Sequence, residues 1–119
     1  MAKGDDIQDR LISFSVEIVQ LCEKLPDTPA GKHLAGQLLR CGTSSAPNYG
    51  EARGAESKRD FLHKLGIVLK ELNETQIWLE TIKRAKIISS DIINPVADEC
   101  IQISKIINAS ISTAKGKNI

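Results

Sequence analysis

The sequence predicts an all-α protein, an antiparallel up-down-up-down four-helix bundle whose second helix kinks near Pro47. Three observations carry that prediction. Apolar residues recur at alternating steps of four and three over four separate stretches, the spacing that keeps one face of a helix apolar. Aromatic residues are only 3% of 119, so the core is aliphatic, and Leu, Ile and Val interlock well between helices. The stretches between the periodic segments are short, around residues 26–28, 54–57 and 87–91, and short connections favour antiparallel neighbours. This length suits one domain, residues 1–119, with helices at about 6–25, 29–54, 58–86 and 91–115.

In the first segment Ile7, Leu11, Phe14, Ile18, Leu21 and Leu25 form an unbroken heptad stripe. Asp5 or Asp6 is placed to cap its start, and Pro26 ends it. Thr28-Pro29 opens the second helix, with Thr at the N-cap and Pro at the first helical position. Leu34, Leu38 and Cys41 follow, and the register continues through Ser45, Asn48 and Ala52. The ring of Pro47 clashes with the carbonyl four residues back, which predicts the kink.

Ser57-Lys58-Arg59-Asp60 resembles a capping box, with Asp in place of Glu. The third helix then carries Phe61, Leu65, Val68, Leu72, Thr75, Leu79 and Ile82 on its seam. Lys83, Arg84 and Lys86 sit at its end, where cations complement the helix dipole. The fourth helix starts between Ser90 and Pro95 and carries Ile93, Val96, Cys100, Ile103, Ile107, Ser110 and Ala114. The apolar arcs of helices three and four are wider than their seams. Ile67, Trp78, Ile92, Ile101 and Ile106 are therefore interface candidates, for a sister subunit or another protein. A wide core-facing arc is the alternative.

The net charge of +1 does not indicate a strongly basic nucleic-acid domain. Its distribution is uneven: residues 1–30 net −3 and residues 31–119 net +4. Lys58, Arg59, Lys64, Lys70, Lys83, Arg84 and Lys86 are the candidate nucleic-acid contacts, with Lys105, Lys115 and Lys117 near the end of the chain. Scattered lysines on a solvated helix surface are their bland reading.

Three widely spaced cysteines, Cys22, Cys41 and Cys100, do not suggest a disulfide framework. The polar, acidic first residues are unlike a signal peptide, and no apolar run is long enough to span a membrane. These features suit the cytoplasm.

The catalytic inventory is thin. Asp60-x-x-His63 has the spacing of a bundle metal motif, but it occurs once and without the Glu, so no metal or cofactor is expected. Glu71 and Glu74 lie three residues apart and are better read as partners for polar groups on the second helix than as a general acid–base pair. Ser44, Asn48, Glu51, Glu71, Glu74 and Thr75 are expected to form a polar network between helices two and three.

Leu38-Leu39-Arg40-Cys41-Gly42-Thr43-Ser44-Ser45-Ala46-Pro47-Asn48-Tyr49-Gly50-Glu51-Ala52 resembles the signature of the 23S rRNA intervening-sequence proteins, small four-helix bundles. The likeness continues in Glu56 to Phe61, Lys70 to Thr75 and Trp78-Leu79. The family is similar to the accessory protein of diversity-generating retroelements.

The resemblance implies a bacterial protein that assembles into a homopentameric, barrel-like ring. The retroelement relatives bind nucleic acid and a reverse transcriptase through a basic surface. Carried over, the motif positions are Arg40, Ser44, Asn48, Glu51, Phe61, Glu71, Glu74, Thr75 and Trp78, in structural or assembly roles. The expected function is a non-enzymatic pentameric scaffold with weak RNA or DNA binding. The alternative is a protein-binding adaptor.

Overall fold

The computed structural model describes residues 2–116. Its helices are α1 (Asp5–Glu23), α2 (Pro29–Gly42), α3 (Ser45–Arg53), α4 (Lys58–Ala85) and α5 (Ser90–Ala114). α2 and α3 are two halves of one rod bent by 15° at residues 43–44, so the architecture is a four-helix bundle. α1 packs on α2, α3 and α5, and α4 packs on the same three helices. α1 and α4 therefore occupy opposite corners.

The bend follows from Pro47. A proline has no N–H to donate to the carbonyl four residues back, here that of Thr43, and its ring crowds that carbonyl. Side chains at the bend bond carbonyls of the preceding turn: Thr43 Oγ1 donates to the Leu39 carbonyl at 2.6 Å and Ser44 Oγ to the Cys41 carbonyl at 2.8 Å. The break also moves the register. Beyond it the buried residues are Ser45, Ala46, Tyr49 and Ala52. Asn48, expected on the seam, is only half-buried, and its amide donates to the Ser44 carbonyl at 2.9 Å.

The helix starts show which caps formed. Thr28 Oγ1 accepts from the Gly31 amide at 3.0 Å, with Pro29 at the first helical position. Ser57 Oγ accepts from the Asp60 amide, also at 3.0 Å. Neither Asp5 nor Asp6 caps α1. Gly4 holds that position with φ 91° and no side-chain bond, while Asp5 turns outward to Ala2 N at 2.8 Å and to Arg53 Nη2 at 2.6 Å. α1 ends two residues earlier than expected, at Glu23, ahead of Pro26.

The core is the aliphatic seam. Leu11, Phe14, Ile18, Leu38, Leu65, Leu72, Ile93 and Ile107 are fully buried. Each such side chain contributes about 1.5–3 kcal/mol on leaving water. Gly42 lets α2 approach α1 closely, because a Cβ there would meet Ile18 Cγ2 at 2.7 Å.

Candidate functional site

One cluster ties α2 to α4. The Arg40 guanidinium pairs through Nη2 with Glu74 Oε2 and reaches Glu71 Oε2 through Nη1 at 3.6 Å. Trp78 Nε1 donates to the same Glu74 oxygen at 3.2 Å. The Trp78 ring meets His33 of α2 edge-on, with centroids 5.9 Å apart. The indole bond and the Arg40 contact hold the Glu74 carboxyl below its ordinary range. The arrangement is an ion-pair clamp. The Glu74 carboxylate faces the Arg40 cation, which does not suit it to take a proton near neutral pH.

The other polar motif residues do not join that clamp. Thr75 is buried, and its Oγ1 donates to the Glu71 carbonyl one turn back at 2.7 Å. Ser44 and Asn48 likewise bond carbonyls of their own rod, at Cys41 and Ser44. Glu51 instead accepts from Lys64 at 3.1 Å, bridging α3 to α4. The expected network is thus two separate cross-helix ion-pair sets plus local bonds within helices. Their shared chemistry was legible in sequence, but their partners depended on the bend.

Five of the candidate cations fall at the two ends of α4, a 28-residue helix about 42 Å long, while Lys105 and Lys115 belong to α5 and its C-terminal cap. Lys58 and Arg59 are exposed at one end, Lys83, Arg84 and Lys86 at the other. Lys64 is engaged by Glu51, and Arg84 Nε bonds Glu80 at 2.9 Å. Lys117 lies outside the described residues.

Of the interface candidates, Ile67, Trp78, Ile92 and Ile106 are half-buried within the subunit. α4 and α5 each have neighbours on two sides, and those neighbours take up most of the wide arcs. Ile101 stays exposed. The most exposed large apolar residues lie elsewhere: Ile77 at 65%, Val16 at 50% and Ile12 at 49%, followed by Leu39 and Val19. Sequence reasoning missed these five. Ile12, Val16 and Val19 were detectable as a second stripe, spaced four and three, on the face of α1 away from the heptad seam.

The thiols are free, and Cys41 and Cys100 are buried. Burial pushes Cys22 up to about 11 and Cys100 up to about 12. Among the described residues, no three His, Cys, Asp or Glu side chains are grouped to hold a metal ion, and no helix is long and apolar enough to cross a membrane.

The model of the 23S rRNA-intervening sequence protein family matches residues 5–109. The chain belongs to that family. A crystal structure of a protein of unknown function from the S23 ribosomal protein family of Bacteroides thetaiotaomicron is similar, with a TM-score of 0.83 and 35% identity. The likeness covers 88% of this chain and 97% of that one. A comparison with curated proteins gives no match. The match runs from the start of α1 to residue 109 within α5 and includes the Arg40–Glu74 clamp of this family member.

Proposed function

We propose that this 23S rRNA-intervening sequence protein is a non-enzymatic subunit of a homopentameric cytoplasmic scaffold that holds RNA or DNA weakly. The carrying observation is the apolar surface left outside the bundle. Ile12, Val16 and Val19 on α1 and Ile77 and Ile101 around α4 and α5 are each more than 40% exposed. Such surface on an otherwise well-buried bundle favours a protein neighbour. The pentamer number follows the family resemblance, and free thiols suit a reducing compartment.

Nucleic-acid contact is supported by the exposed cations at the ends of α4. Lys58, Arg59, Lys83 and Lys86 have no ion-pair partner among the described residues, and a ring would repeat each cluster. Light scattering after gel filtration tests assembly: about five subunit masses supports it, and a monomer at micromolar concentration refutes it. Gel-shift titrations with structured RNA and duplex DNA test binding, whose affinity should fall steeply with salt. A stoichiometric foreign protein that copurifies with a monomer would instead favour the adaptor reading.

A further inference from the structure

α1 carries a second heptad seam, on the face turned away from the core. Asp5, Asp9, Ile12, Val16, Val19 and Glu23 step by 4, 3, 4, 3 and 4, as the buried seam does. Ile12, Val16 and Val19 are exposed in its middle, and Asp9 and Glu23 are exposed at its ends. Leu39 of α2 adds to this apolar stripe, one turn from Gly42, which packs on Ile18 of α1. At the N-terminal end the stripe runs into a pocket of about 330 Å³ lined by Asp5, Asp6, Gln8, Asp9, Ile12 and Arg53.

The charge around the stripe is one-sided. α1 holds Asp5, Asp6, Asp9, Glu17 and Glu23 against Arg10 alone, a net charge of −4. Arg10 is bound to Glu99 of α5, and Arg53 to Asp5. Asp6, Asp9 and Glu23 have no ion-pair partner among the described residues. Lys24 follows Glu23 but lies about 100° round the helix from it. We propose that the α1 stripe seats a basic amphipathic helix of another protein, with apolar side chains against Ile12, Val16, Val19 and Leu39 and Lys or Arg at both ends.

Spacing and charge select this occupant. An exposed heptad seam fits the apolar face of a helix. Asp9 and Glu23 are fourteen residues apart, about 21 Å, so a helix of about four turns covers the stripe. One terminal Lys or Arg then enters the pocket beside Asp6 and Asp9, and the other meets Glu23. Copies of this chain do not complement the stripe. α1 on α1 sets Asp9 against Glu23 when antiparallel and Asp9 against Asp9 when parallel. The groove between α4 and α5 carries Glu80 and Asp98 beside Lys83 and Arg84, so its charges cancel. The seat is present on each copy, whatever the number that assemble.

The probe is a fluorescein-labelled peptide of about five helical turns, with Leu at heptad spacing and Lys at both ends. Its twin carries Glu in place of Lys. Fluorescence anisotropy at low salt should show saturable binding of the Lys peptide, about tenfold tighter than the Glu peptide and weakened by added salt. Val16→Asp should abolish that binding while keeping native helix content by circular dichroism and the parent's mass by light scattering. Asp9→Lys combined with Glu23→Lys should reverse the preference to the Glu peptide. No binding of either peptide, equal binding of both, a preference that the double variant leaves unreversed, or binding that survives Val16→Asp overturns the proposal. A Val16→Asp protein of lower mass than the parent also overturns it, giving the stripe to a sister subunit and supporting the scaffold reading.

Discussion

Arg40 of α2 and Glu74 of α4 form an ion pair across the packing of these two helices, and Trp78 donates to the same carboxylate oxygen. Arg40 is half exposed, so the pair orients the helices more than it stabilises them.

Its pH dependence has a defined sign. The Glu74 carboxyl is held below its ordinary value of 4.5, with the Trp78 indole as the largest cause. A depressed carboxyl contributes stability above its unfolded value and loses it as pH falls through the folded one. Glu17 behaves oppositely, raised by its burial and then by Glu99, so its charge costs stability at neutral pH. Glu74→Gln should therefore lower Tm at pH 7 and Glu17→Gln should raise it. Thermal melts at pH 3 should show both differences shrinking toward zero.

Gly42 and Ile18 should be energetically coupled. Gly42→Ala forces a Cβ against Ile18 Cγ2, an overpacking that costs about 1–3 kcal/mol. In an Ile18→Ala background the same change should cost much less, because the obstructing atoms are gone. A double-mutant cycle from urea unfolding measures this; additive effects would contradict the close approach.

The caps at Thr28 and Ser57 should act independently. Thr28→Ala and Ser57→Ala each remove one bond to an otherwise unpaired helix amide, costing about 1 kcal/mol. They serve different helices, so urea unfolding of the double variant should show the sum.

Thiol labelling should follow burial. Cys100 and Cys41 are buried and Cys22 half-buried, and burial raises all three thiols. In the native protein at pH 8 a thiol-disulfide reagent should leave Cys41 and Cys100 unmodified, with Cys22 reacting slowly. In denaturant all three should react at once. Fast native labelling of Cys100 would contradict the packing of α5 on α4.

Periodicity alone carried the all-α class, the four rods and nearly the whole aliphatic core, because a heptad stripe has one economical use: burial against other such stripes. The kink near Pro47 was legible for the same local reason, a missing N–H and a crowded carbonyl. Helix ends at Thr28 and Ser57 were legible from their capping chemistry.

The pairings between rods were decided in three dimensions. The break at Thr43 and Ser44 exchanged Asn48 for Tyr49 in the core, a shift that no one-dimensional register contains. Glu51 met Lys64 because that bend set which turns of α3 and α4 face each other, and Arg40 met Glu74 where α2 packs on α4. Trp78 packs against the core and is half-buried, as is Ile67, so each shows less surface than its place on an isolated helix suggests. Ile77 and the α1 stripe were left outside instead, since exposure depends on where the other helices lie and a side chain's position on its own helix reveals only part of that.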